Sequence, residues 1–388
     1  MNFDLSDEQQ DIRSAVQAVC SDFDDAYWLA RDRDGLFPEE FVNAITTGGW
    51  LGIAMPEEYG GAGLGITEAA ILGHTITRSG AGMSGASAVH LNLFGPHPIV
   101  VFGTDEQKQR FLPRLIQGLD RACFGVTEPD AGLNTTRLST RAERDGDHYV
   151  VNGRKMWTST AQTANKILLI VRTTPFEECT KPTQGLTLFY TELDRDKIEV
   201  RLIEKMGRKA VDSNALFIDD LMVPVEDRIG EEGDGWSCLL HGLNPERILI
   251  AAESVGLGQV ALERAANYAR ERVVFDRPIG MNQAIQHPLA INWMELQAAH
   301  LMAFSAAARY DAGQSCGTEA NAAKYLAAEA ALKACQRAVL THGGMGYAKE
   351  YHVERYLREI MIPMIAPISQ ELVMSFIAEK ELKQPKSY

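Results

Sequence analysis

Two stretches carry residue types that could do chemistry together. The first runs Phe124-Gly125-Val126-Thr127-Glu128-Pro129-Asp130-Ala131-Gly132-Leu133-Asn134, followed after a pair of strands by Asn152-Gly153-Arg154-Lys155-Met156-Trp157-Thr158-Ser159. Pro129 to Gly132 can turn backbone N–H groups outward, while Trp157 offers a broad apolar plane and Ser159 a hydroxyl two residues on. Such a wall suits a flat aromatic ligand with polar edges. The competing reading is a turn in a β domain, with Trp157 in its core. The second stretch is Asn244-Pro245-Glu246-Arg247, a carboxylate beside a guanidinium. It also reads as an ordinary helix start, with an N-cap, a first-turn proline and a glutamate favoured by the helix dipole. Arg272 is a further candidate, since a guanidinium can bond two phosphate oxygens at once, or can simply be a solvated arginine at a helix end.

The elements that must position these groups change character along the chain. Ser6-Asp7-Glu8-Gln9 is a capping box, and Ile12, Val16, Val19 and Cys20 follow at helical spacing. Phe37-Pro38-Glu39-Glu40 opens another helix, Gly49 to Gly65 is a connection, Thr67 to Arg78 is helical, and Thr104 with Gln107 caps a helix running towards Pro113. From about Arg121 the period shortens: His148 to Val151, Lys166 to Arg172, Gly185 to Thr191 and Ile198 to Ile203 read as strands, with a hairpin turn at Asp145-Gly146. After Trp236 long alanine-rich helical patterns cover Ala251 to Arg272, Ala284 to Ala312, Thr318 to Leu340 and Gln370 to Leu382. The expected fold is multidomain α+β: an N-terminal helical domain over 1–120, a middle β domain over 121–233 and a C-terminal helical bundle over 234–388.

With 388 residues, 45% of them hydrophobic, the chain can bury a large core in two or three domains. A formal charge of −14 argues against nucleic acid or an anionic membrane as partner. The six cysteines have no paired spacing, no basic-then-apolar leader opens the chain, and no apolar run reaches the ~20 residues of a membrane span, so a cytoplasmic protein is expected. Cys238 and His241 lack a second close pair, so no metal site is expected. Gly80-Ala81-Gly82-Met83-Ser84-Gly85 matches the dinucleotide fingerprint in letters only, because it follows a helical pattern. The similar Gly256-Leu257-Gly258 lies inside a helix, where glycines permit close packing.

The 124–159 segment resembles the flavin-binding signature of the acyl-CoA dehydrogenase family, and the likeness extends over nearly the whole chain. It implies FAD as cofactor, a homotetramer, an acyl-CoA substrate and an electron-transfer flavoprotein as electron acceptor. On this resemblance Phe124, Val126, Thr127, Gly132 and Leu133 edge the isoalloxazine and its pyrophosphate, and Trp157 lies beside the ring. Ser159 replaces the family's usual threonine and keeps the hydroxyl for flavin N5. Leu133 stands where many relatives have a serine that bonds the pyrophosphate or substrate. Arg272, Phe275 and Gln283 resemble the segment that a neighbouring subunit lends to the adenosine half of FAD. Gly343 and Gly344 belong to the adenosine-side glycine loop, Ser369 and Glu371 are further cofactor candidates, and Leu340 replaces a frequent glutamine.

The implied reaction removes an α proton from the thioester and passes the β hydrogen as hydride to the flavin. Many relatives place the catalytic glutamate near the C-terminus, but Ile365-Ala366-Pro367-Ile368-Ser369 holds no carboxylate. A smaller group, including isovaleryl-CoA and long-chain dehydrogenases, carries it immediately before an arginine on the helix opening the bundle. Glu246 fits that place and Arg247 the arginine near CoA. Met83, Ser87, Val89 and Leu93 are candidates for the pocket lining or for helix core. The same resemblance leaves open an acyl-CoA oxidase, a desulfinase or other flavin enzyme on this fold, or a non-catalytic CoA-ligand-binding relative.

Overall fold

A computed structural model describes residues 4–387. Helices α1 (Asp7–Ser21), α2 (Asp25–Asp34), α3 (Glu39–Thr47), α4 (Ile66–Ile76), α5 (Gly82–Phe94), α6 (His97–Phe102) and α7 (Asp105–Ile116) come first. Ser6 accepts from the Gln9 N–H, and the Gln9 side chain bonds back, so the capping box forms; Ile12, Val16 and Cys20 are buried behind it. Thr104 and Gln107 form a second box at α7, which continues past Pro113.

The middle sheet holds β1 (Ala122–Gly125), β2 (Arg141–Asp145), β3 (His148–Ser159), β4 (Lys166–Arg172), β5 (Leu186–Glu192), β6 (Ile198–Leu202), β7 (Ser213–Pro224) and β8 (Arg228–Ile229). Its order is β6-β7-β3-β2-β4-β5-β8, with β1 parallel to β4. The Asp145-Gly146 turn joins β2 to β3 as expected. Strand β3 runs on to Ser159, and its ladder with β7 breaks register between Lys155 and Thr158. This irregularity carries Trp157, whose φ of 62° is left-handed.

The C-terminal part comprises α8 (Gly235–Glu271), a short hairpin of β9 (Val273–Val274) and β10 (Arg277–Pro278), α9 (Gln283–Asp311), α10 (Gly317–His342), α11 (Val353–Glu359), α12 (Met361–Ile365) and α13 (Gln370–Lys380). Asn244-Pro245-Glu246 does not start a helix. Helix α8 begins at Gly235 and continues through Pro245. Packing on several sides holds the helix across the missing Pro245 N–H, so a local cap signal gives way to tertiary contact.

Helix α8 is the hub, packing on α4, α5, α9 and α10, with Ile248 to Gly258 buried without interruption. A Cβ at Gly256 would meet the Thr77 hydroxyl and the His74 carbonyl, and one at Gly258 would come within 2.6 Å of Leu296 and 2.9 Å of the Ala331 backbone. These glycines therefore serve close helix packing, as their position in the sequence suggests. One guanidinium ties the parts together: Arg358 on α11 bonds both oxygens of Asp32 on α2 (3.0 and 2.8 Å) and the Met206 carbonyl in the β6–β7 loop (2.9 Å). Because a methyl at Gly256 must push α4 off α8, Gly256→Ala is expected to destabilise the fold by about 1–3 kcal/mol, read as a lowered Tm.

Candidate active site

The 124–134 turn is clamped to β3 by a buried ion pair. Lys155 Nζ donates to Glu128 Oε1 (2.9 Å) and the Val126 carbonyl (3.1 Å), and both side chains are almost fully buried. Glu128 also accepts from Ser139 N (2.7 Å), Ser139 Oγ (2.8 Å) and Thr140 N (3.0 Å). Against the upward push of burial, Lys155 and these donors hold the Glu128 carboxyl at about 2. The Met156 N–H donates to the Thr127 carbonyl at 2.8 Å, drawing Thr127 onto the strand. Neither Glu128 nor Lys155 was singled out by type, although both lie in the two motifs; their pairing needs the fold.

The clamp fixes a platform. Trp157 is 57% exposed, so it is not core, and its left-handed backbone costs about 1–2 kcal/mol that packing does not recover. Gly132 has no neighbour within 4 Å of a notional Cβ, and Leu133 is 68% exposed. Phe124 meets Phe94 of α5 edge-on (5.9 Å between centroids) at the seam between helices and sheet. Ser159 Oγ accepts from Arg208 Nη2 (3.0 Å), which leaves its O–H free to donate. An open aromatic plane, an open glycine turn and a free hydroxyl fit a flavin.

Helix α5 turns a polar stripe inward. Ser84 donates to Glu359 (2.6 Å), Ser87 accepts from Arg208 (3.2 Å), and His90 Nδ1 meets Glu253 Oε1 of α8 at 2.7 Å. Met83, Val89 and Leu93 are buried in the apolar core, leaving Ser87 as the polar member of that set. Burial would discharge His90, yet Glu253, and more weakly Glu246, hold its pKa above the ordinary value.

Glu246 lies two turns before Glu253 on the same side of α8. Among the described residues it has no hydrogen-bond or ion-pair partner, and it retains some accessible surface. Burial pushes its carboxyl from 4.5 up to about 7, opposed by His90 and Arg247. A desolvated, unpartnered carboxyl that is still reachable is chemically a general base. Arg247 Nη1 donates to Asn244 (3.0 Å) and its Nε is buried without a partner.

The remaining candidates stand apart. Arg272 caps α8, Phe275 is 93% exposed at the tip of the β9–β10 hairpin, Gln283 opens α9, and Gly343 and Gly344 follow α10 with open space about them. Among the described residues no hydrogen bond, ion pair or ring contact joins them to the 124–159 platform. Ser369 caps α13 by accepting from Leu372 N (3.3 Å), and Glu371 is exposed in its first turn. Among the described residues no group of three metal-ligating side chains is present, and no single helix is long and apolar enough to cross a membrane.

A helical domain, a middle β domain and a helical bundle, in that order, make the architecture of an acyl-CoA oxidoreductase. Residues 6–119, 123–221 and 233–382 match the N-terminal, middle and C-terminal domains of acyl-CoA dehydrogenase, and the chain belongs to that family. It is 36% identical over 393 residues to acyl-CoA dehydrogenase FadE12 of Mycobacterium tuberculosis, covering 100% of this chain and 99% of that protein. Its fold superposes on a chain solved in work on the electron transferring flavoprotein of Acidaminococcus fermentans (TM-score 0.94, 28% identity, 99% of this chain and 100% of that one). It superposes equally on glutaryl-coenzyme A dehydrogenase in its glutaryl-CoA complex (TM-score 0.93, 32% identity, 100% and 98%).

The raised Glu246 pKa has a stability consequence. The unfolded glutamate releases its proton near 4.5 and the folded one near 7, so ionisation disfavours folding progressively between those values. Relative to Glu246→Gln, the wild-type Tm should therefore fall as pH rises from 4.5 to 8. Parallel Tm profiles would place the carboxyl in water.

Proposed function

We propose that the protein carries out FAD-dependent α,β-dehydrogenation of an acyl-CoA thioester, with Glu246 as the base that takes the α proton. The observation that carries this reading is the Glu246 carboxyl itself, desolvated, unpaired and reachable, in a chain whose Ile365 to Ser369 stretch has no acid. Bound FAD supplies the two-electron acceptor for the β hydrogen. Trp157 offers the ring an apolar plane, and Ser159 holds a donor towards its polar edge. Phe124, Val126, Thr127, Gly132 and Leu133 line the turn side. Arg247, beside the base, is placed for the CoA portion and, with Leu133, for substrate.

Arg272, Phe275, Gln283, Gly343, Gly344, Ser369 and Glu371 serve FAD across a subunit boundary in a homotetramer. Exposed Ile291, Trp293, Met294 and Leu301 on α9, together with Phe275, support that assembly, because such a run of apolar surface is normally covered. An electron-transfer flavoprotein is the acceptor best supported, given the likeness to the Acidaminococcus chain.

The purified protein should be yellow and should bleach with an acyl-CoA substrate under anaerobic conditions. Glu246→Gln should keep the flavin and slow bleaching by about 10²–10⁴-fold, the usual contribution of a general base. Undiminished reduction would move the role elsewhere. Because the base must be ionised, bleaching should quicken as pH rises through about 7. His90→Gln removes a positive neighbour and leaves Glu253 unpaired, so it should shift that rise to higher pH.

A further inference from the structure

Beside Ser159 lie cations with no carboxylate of their own. Arg208, in the loop between β6 and β7, has a left-handed φ of 54° and points inward. Its Nη1 donates to Ser87 Oγ (3.2 Å) and its Nη2 to Ser159 Oγ (3.0 Å) and Ser213 Oγ (3.4 Å), while Nε is buried with no partner. Lys205 donates to Ser213 Oγ (2.8 Å) and to the Val211 carbonyl. Among the described residues neither cation is in an ion pair.

The acids within electrostatic range of Arg208 are Glu359, Asp212 and Glu253; none pairs with it, and each has other partners. Glu359 is held by Ser84 and Arg355, Asp212 by the Gln162 N–H and the Asn214 amide, and Glu253 by His90 through Oε1, its Oε2 being buried without a hydrogen-bond partner among the described residues and out of ion-pair reach of Arg208. Ser87 and Ser159 each accept from the guanidinium, so each keeps an O–H with no acceptor among the described residues. The cluster is therefore rich in donors: a guanidinium, an ammonium behind it and the Ser87 hydroxyl, the Ser159 O–H being assigned to the flavin edge. Burying such a group without an anion is costly, whereas a planar carboxylate can take two guanidinium N–H bonds together.

We propose that Arg208, with Ser87 and with Lys205 behind it, is a subsite for a carboxylate at the far end of the acyl chain, making short dicarboxylic acyl-CoA thioesters the preferred substrate class. This rests on the dehydrogenase reading, which puts the reacting carbons beside Ser159. The cofactor does not supply the anion there, since the pyrophosphate is assigned to the 126–133 turn and the flavin ring enters uncharged. Burial and the neighbouring Arg208 also pull the Lys205 ammonium down to about 7, as expected where positive charge accumulates without its counter-ion.

The test compares succinyl-, glutaryl- and adipoyl-CoA with butanoyl-, pentanoyl- and hexanoyl-CoA, and with the methyl monoester of glutaryl-CoA. Binding is measured by calorimetry on the flavin-loaded Glu246→Gln protein, which separates recognition from turnover, and flavin bleaching is measured on the wild type. At one chain length at least, the carboxylated thioester should bind about tenfold or more tightly than its neutral counterpart, and the methyl ester should behave as neutral. Arg208→Gln should cut that ratio about tenfold, and Arg208→Lys should restore part of it. Neutral thioesters binding as well or better at all three lengths would overturn the subsite. Absence of bleaching by every thioester would instead remove the dehydrogenase reading, while the binding order still decides whether Arg208 recognises a carboxylate.

Discussion

Helix α8 is enclosed by α4, α5, α9 and α10, and that enclosure sets the terms for every polar group it carries. Inside such packing a carboxylate must be paired, or it must hold its proton up to an unusually high pH. Glu253 takes the first course with His90, and Glu246 takes the second. The difference is not in residue type or in local sequence, since both glutamates sit on one face of the same helix. It comes from His90 of α5, which reaches one of them and not the other. His90 pairs with Glu253, whereas among the described residues no side chain hydrogen-bonds or ion-pairs with Glu246, and only the longer-range fields of His90 and Arg247 oppose its burial.

The platform on the middle sheet depends on the Glu128–Lys155 pair. A lone charge of either sign in that interior would be untenable, so the pair and the backbone donors around Glu128 form together or not at all. By fixing the 124–134 turn against β3, the pair also leaves Trp157 outside the ladder, held left-handed and open. A tryptophan kept exposed at the cost of backbone strain marks a surface shaped for a ligand rather than for folding.

Arg208 links the two sides. It reaches Ser87 on α5 and Ser159 on β3, so the helical domain and the sheet share one guanidinium at their seam. Arg358 plays the corresponding architectural part farther out, through Asp32 and Met206. The contrast is instructive: Arg358 has two carboxylates, Asp32 and Glu354, and reads as a structural tie. Among the described residues Arg208 bonds hydroxyls only, and so its charge remains available to a ligand.

The order helical domain, sheet, bundle, the capping boxes at Ser6 and Thr104, the Asp145-Gly146 hairpin and the strand over Lys166–Arg172 are legible in the amino-acid order, because each rests on local periodicity or on a single turn. Glu246 stood out only through the resemblance to the acyl-CoA dehydrogenase family, whose more common acid position has no carboxylate at residues 365–369. Contacts between distant segments emerge only once the chain has folded: the Glu128–Lys155 clamp, the His90–Glu253 pair and the Arg208 bridge. The start of α8 belongs with them, since Asn244-Pro245-Glu246 looks like a helix opening to any local rule. Packing from surrounding helices supplies more free energy than one absent hydrogen bond removes, and that sum is invisible until the neighbours are in place.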